Sequence, residues 1–125
     1  MFTANATSVL IVEDDPTLRA LYRALLQMEG YVVIAVEDGL DALHQIEIDP
    51  PAAVVLDLGL PRLGGRDVQR EMTARIETRG IPIIIVTGEP ADDLDPSEFA
   101  CILRKPLEPD TLITAVRDCL RKAPA

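Results

Sequence analysis

Short apolar runs alternate with amphipathic stretches along the chain, as expected of strands buried on both faces and separated by surface helices. Ser8 to Val12 is the first such run and reads as a strand. After it, Asp15-Pro16 reads as an N-cap followed by proline at the first helical position. Leu18, Leu21, Tyr22, Leu25 and Leu26 then recur at helical spacing until Gly30. Tyr31 to Val36 predicts a second strand, and Asp38-Gly39 opens a helix with Leu40 and Leu43 inward that ends near Asp49-Pro50-Pro51. A third strand covers Ala53 to Asp57. Gly64-Gly65 precedes a helix in which Val68, Met72 and Ile76 repeat every fourth residue, ending at Gly80. Pro82 to Thr87 predicts a fourth strand, with the proline at its start, where a missing N–H is tolerated.

Glu89 to Glu98 breaks this rhythm. Pro90 and Pro96 interrupt it, and Asp92, Asp93 and Asp95 are poor helix formers, so only a turn or two of helix is expected there. Phe99 to Arg104 supplies a short fifth strand, and Leu112, Val116, Cys119 and Leu120 mark a last helix. The order is (βα)5, an α/β pattern around a parallel sheet. With no repeat, linker or low-complexity tract, residues 1–125 read as a single domain.

Charge narrows the partners. At −9, with a pI near 4.4, the chain as a whole repels phosphate backbones and anionic membrane surfaces, so direct nucleic-acid contact is not expected. Met1 to Thr7 has neither a basic region nor a long apolar one, and no apolar run reaches membrane-spanning length. The expectation is a soluble cytoplasmic protein with no membrane partner. Cys101 and Cys119 lack the spacing of a metal knuckle or redox pair and read as small buried apolar residues. His44, the only histidine, lies in a helical segment without partner ligands at matching spacing.

Candidate chemistry gathers at the strand ends. Asp57 closes the run Ala53-Val54-Val55-Leu56, and Glu13-Asp14-Asp15 closes Val9-Leu10-Ile11-Val12; two further runs end in Thr87 and Lys105. In an open parallel sheet those ends share one edge, where such folds place their sites. Asp15 is set apart as the helix cap, which leaves Glu13 and Asp14 free. An aspartate attacking phosphorus needs a divalent cation to offset repulsion, and Mg²⁺ (or Mn²⁺) takes oxygen ligands such as Glu13, Asp14 and Asp57. The Lys105 ammonium can take charge on one phosphoryl oxygen and the Thr87 hydroxyl can bond to another.

These segments carry a resemblance that covers nearly the whole chain. Ile11-Val12-Glu13-Asp14-Asp15, Leu56-Asp57-Leu58-Gly59-Leu60-Pro61 with Gly65, Ile85-Val86-Thr87-Gly88 and Lys105-Pro106 together resemble the receiver domain of two-component response regulators. The resemblance implies a doubly wound, flavodoxin-like sheet of five parallel strands in the order 2-1-3-4-5, here with a shortened fourth helix. It implies that Asp57 accepts a phosphoryl group from the phosphohistidine of a sensor histidine kinase or a histidine phosphotransfer protein. Asp14 would bind Mg²⁺ directly and Glu13 through water, with Asp57 and the main-chain carbonyl of Gly59 completing the protein ligands. Gly88 fits the family's small residue beside the phosphoryl group, and Lys105-Pro106 resembles a bond that is often cis in relatives. A receiver is a signalling module, with phosphoryl acceptance and slow autodephosphorylation as its only chemistry, and it acts on a downstream protein by contact.

The chain departs from the family pattern at two points. Ile102 stands where relatives carry an aromatic residue three positions before the lysine, and the 17 residues between Thr87 and Lys105 are fewer than usual by about one helical turn. The competing reading is an aspartate-nucleophile phosphatase of the haloacid dehalogenase type. Those enzymes want a second aspartate two residues after the nucleophile, and Gly59 occupies that place. A flavin site on the same topology would meet repulsion from the acidic loop after the first strand.

Overall fold

Nine regular elements follow one another in the computed structural model, which describes residues 7–122: β1 (Ser8–Val12), α1 (Pro16–Met28), β2 (Val32–Val36), α2 (Gly39–Ile48), β3 (Ala53–Leu56), α3 (Gly65–Ala74), β4 (Ile83–Thr87), β5 (Cys101–Arg104) and α4 (Pro109–Lys122). The reading of Met1 to Ala6 lies outside those residues. All strand pairs are parallel and the order is β2-β1-β3-β4-β5, a flavodoxin-like α/β sheet in the expected arrangement. Among the described residues no helix is long and apolar enough to cross a membrane.

Strand alternation splits the core in two. Val9, Ile11, Val55, Ile84 and Val86 face Tyr22 and Leu26 of α1 and Leu112, Val116 and Cys119 of α4. Leu10, Val12, Val54, Leu56, Ile83 and Ile85 face Ala42 and Ile46 of α2 and Val68 and Met72 of α3. Helices therefore cover both faces, and β3 and β4 are buried along their whole length. The caps follow the sequence: Asp15 Oδ1 accepts from the N–H of Thr17 at 2.9 Å and of Leu18 at 3.2 Å, and Asp38 Oδ1 from that of Asp41 at 2.9 Å.

Two expectations need correction. The helix expected to reach Gly80 stops at Ala74, and Ile76 is 76 % exposed instead of continuing the Val68–Met72 stripe. The buried Thr78 hydroxyl donates to the Met72 carbonyl at 2.7 Å, which ends the helix in a capped turn. In α2 the inward stripe is Gly39, Ala42 and Ile46, with Leu43 half-buried and Leu40 46 % exposed. Its first turn is pressed so close to the loop after β3 that a Cβ on Gly39 would stand 2.0 Å from the Leu63 carbonyl oxygen, which sets the rotation of the helix. The shortened fourth helix expected between β4 and β5 is a 3₁₀ turn, Pro96–Glu98, capped by Asp95, so the (βα)5 order contains four α-helices. Cys119 is buried as expected, Cys101 only partly, and His44 is exposed on α2.

Candidate functional site

Strand order brings the candidate residues together before any side chain is considered. β1 and β3 are neighbours, and the ladder continues past their ends: the N–H of Asp57 donates to Val12 O at 3.1 Å, and that of Glu13 to Val36 O at 3.1 Å. On the other side β4 pairs with β5, and the N–H of Lys105 donates to Thr87 O at 2.9 Å. Backbone hydrogen bonds thus fix Glu13, Asp57 and Lys105 at one edge of the sheet. α3 approaches the same edge closely. A Cβ on Gly65 would lie 2.3 Å from the Asp57 carbonyl oxygen, so glycine is required there.

The Lys105 ammonium stands between two carboxylates, 2.8 Å from Glu13 Oε1 and 3.1 Å from Asp57 Oδ2. Glu13 is 2 % exposed, Asp57 7 % and Thr87 0 %, whereas Asp14 opens to solvent. Asp57 Oδ1 accepts from the Gly59 N–H at 3.2 Å, and Glu13 Oε2 from the Asp15 N–H at 3.1 Å. The Thr87 hydroxyl accepts from the N–H of Glu89 at 3.0 Å and so faces the loop that leaves β4. Lys105-Pro106 is cis, in keeping with the resemblance.

Carboxylate oxygens of Glu13, Asp14 and Asp57 lie within 4.8 Å of one another. Burial pushes the Glu13 carboxyl above its usual range, and this outweighs the hydrogen bond from Lys105, which acts the other way. For Lys105, burial is the largest single influence and favours the neutral amine. Its bonds to Glu13 and Asp57 together outweigh burial and raise its pKa. One ammonium faces three carboxylates, and the unbalanced negative charge and all-oxygen donor set fit a hard divalent cation.

All the sequence candidates therefore meet at one edge of the sheet, with Gly59 in the turn that leaves Asp57. The sequence reading missed three supporting contacts. Arg19 Nη1 donates to the carbonyls of Glu13 at 2.9 Å and Asp14 at 3.3 Å, tying the acidic turn to α1. The Glu89 carboxylate lies against Gly59, where an added Cβ would come within 2.7 Å of its Oε1. Arg62 pairs with Asp38 and Asp41, so the second carboxylate cluster, Glu37 with Asp38 and Asp41, is engaged with a guanidinium. An arginine four residues from an i, i+4 pair would have signalled a helix partner; these contacts span turns, and no local spacing announces them.

Residues 9–117 match the family described as "Response regulator receiver domain". The DNA-binding response regulator MtrA of Mycolicibacterium smegmatis is 34 % identical over 119 residues, covering 91 % of this chain and 50 % of MtrA. The transcription regulator BvgA of Bordetella pertussis is 40 % identical over 95 residues, covering 74 % of this chain and 41 % of BvgA. The chain thus spans about half the length of the curated relatives it matches. Among solved structures, a signal receiver domain from Vibrio parahaemolyticus superposes with a TM-score of 0.86 at 33 % identity, over 94 % of this chain and 92 % of that one. The phosphatase alternative gains nothing from these likenesses. Fold, strand-end chemistry and relatives agree that the chain belongs to the response regulator receiver domain family, the phosphorylation-controlled modules of two-component signalling.

Proposed function

We propose that Asp57 is the phosphoacceptor and that the chain takes a phosphoryl group from a phosphohistidine on a sensor histidine kinase or histidine phosphotransfer protein. The observation that carries this reading is the Lys105 ammonium set between Glu13 and Asp57 at 2.8 and 3.1 Å. An Asp57 carboxylate oxygen attacks phosphorus, the P–N bond of the phosphohistidine breaks, and the imidazole leaves. Lys105 exchanges part of its bond to Asp57 for a bond to a phosphoryl oxygen, and the Thr87 hydroxyl turns from the Glu89 N–H toward another. Glu13, Asp14, Asp57 and the Gly59 carbonyl would hold Mg²⁺ or Mn²⁺, which when bound offsets the repulsion between carboxylate and phosphoryl group.

The module does not turn over a separate substrate beyond its own phosphoryl acceptance and slow loss. Residues 1–125 act as one receiver unit in the cytoplasm and pass the signal to a protein target. Its net charge of −9 argues against direct contact with nucleic acid or an anionic membrane. Labelling with acetyl phosphate and Mg²⁺ tests the reading. Wild type should take up one phosphoryl group and Asp57→Asn none; equal labelling of both would overturn the assignment, and sustained turnover of phosphomonoesters would favour an enzyme.

A further inference from the structure

Arg62 takes a left-handed backbone conformation, with φ at 64°, in the turn between Asp57 and Gly65. That region is costly for an L side chain, and glycine or asparagine enters it more readily. What the arginine gains is on the other side of the turn. Its Nε donates to Asp38 Oδ2 at 2.9 Å and its Nη2 to Asp38 Oδ1 at 3.0 Å, with a further bond from Nη2 to Asp41 Oδ1 at 3.0 Å. Asp38 is 5 % exposed and is at the same time the N-cap of α2. A forked pair of this kind fixes direction as well as distance, which a lysine cannot do.

The tie lies beside the cation cluster. A cavity of about 560 Å³ is lined by Asp14, Glu37, Asp38, Pro61 and Arg62, so Arg62 and the exposed carboxylate of Asp14 border one opening. Within the turn, Leu58 and Leu60 are buried on either side of exposed Gly59, and Gly65 closes against Asp57. Between those anchors, Arg62 supplies the polar bond that crosses to another element.

We propose that Arg62 is a positioning residue for the cation site: it fastens the turn from Asp57 to Gly65 onto the start of α2, and so presets the Gly59 carbonyl and the Asp57 carboxylate for a divalent ion. This rests on the reading of Asp57 and its neighbours as a Mg²⁺ or Mn²⁺ site. Removing an outer partner that orients metal ligands typically weakens affinity by about tenfold or more. Arg62→Gly deletes the fork while suiting the backbone, so loss of the tie is separated from strain. Arg62→Lys keeps the charge without the fork and should fall between the two.

The test is Mn²⁺ binding by electron paramagnetic resonance on the unphosphorylated protein, with hydrogen exchange of the amides from Leu58 to Gly64 in chelator. Arg62→Gly should weaken Mn²⁺ by about tenfold and speed exchange in the turn, with Arg62→Lys intermediate. Adding Asp38→Asn to Arg62→Gly should weaken Mn²⁺ by less than the two single effects combined, because both variants break the Arg62–Asp38 fork; full additivity would overturn the tie as the route. Wild-type affinity and wild-type exchange in Arg62→Gly and Arg62→Lys would overturn the positioning role while leaving the cation site intact. A lowered thermal midpoint without any change in Mn²⁺ affinity would overturn it too, as a purely structural role. Wild type that binds no Mn²⁺ would overturn the site itself, and this inference with it.

Discussion

At the residue scale, the site balances one cation against three carboxylates. Removing Lys105 leaves buried Glu13 facing Asp57 with no opposing charge, and unmaking one side of a buried ionic contact costs more than the contact itself contributes. Lys105→Ala should therefore lose about 1–3 kcal/mol in metal-free urea unfolding. Mg²⁺ should restore part of the loss, because a divalent ion supplies the missing charge. A different carboxyl contributes to the acid limb. Asp38 is held below the usual aspartate range, first by the Asp41 N–H, with burial opposing and the Arg62 guanidinium adding to the lowering. A depressed folded value contributes stability that is present above the unfolded value, near pH 4, and lost as pH falls through the folded one. Asp38→Asn should thus be less stable than wild type at neutral pH, and in urea unfolding the gap should narrow as pH falls below the unfolded aspartate value. Glu13, Asp14, Asp57, Thr87 and Lys105 were legible in the sequence because each closes or follows an apolar run. Arg62 was not, because its partner lies 24 positions earlier in another turn.

At the scale of elements, the segment from Gly88 to Ala100 carries what is particular to this receiver. Prolines 90 and 96 leave it a single 3₁₀ turn, and Ala91, Leu94 and Phe99 pack onto the core between the sheet, α2 and α3 in place of a fourth helix. Ile102 joins the same core, half-buried, where a swinging aromatic ring was absent from the sequence. Arg66 of α3 pairs with Asp93 at 2.7 Å, but both are solvent-accessible, and such a pair adds little to stability. The segment's hydrogen-bonded link to the site is the Glu89 N–H on the Thr87 hydroxyl, and the Glu89 carboxylate lies against Gly59. If Thr87 turns toward the phosphoryl group, that link breaks. Beryllofluoride with Mg²⁺ should then raise hydrogen exchange across Gly88 to Arg104 in wild type. In Thr87→Ala the mimic should still bind at Asp57, with little further change in the loop; unchanged wild-type protection there, with larger changes elsewhere, would place the output on another surface. The weakness of this segment was readable from its prolines and aspartates. The early stop of α3 was not, because the cap is a bond from the Thr78 side chain back to the Met72 carbonyl, which hydrophobic periodicity does not encode.

For the whole molecule, the alternation of runs was enough to suggest a parallel sheet, since helices between parallel strands cover both faces and so bury the central strands, while the edge strands β2 and β5 stay partly open. The order of strands came from resemblance, because local pattern says nothing about which strand lies beside which. That order is also what makes the fold sensitive to a cation: it sets β1 beside β3 and so crowds Glu13, Asp14 and Asp57 within 4.8 Å in a chain already at −9. A ligand that binds only the folded state adds about 2.7 kcal/mol at a hundredfold excess over its Kd. Mg²⁺ should therefore raise the melting temperature of the unphosphorylated protein. General screening of a strongly acidic chain would also raise it, and the two effects are separable. NaCl at matched ionic strength should reproduce only the screening part, and Asp14→Ala should keep that part while losing the remainder, since Asp14 is the exposed carboxylate of the cluster. Equal shifts from the two salts in wild type would mean that the strand-end carboxylates act as surface charge and hold no ion.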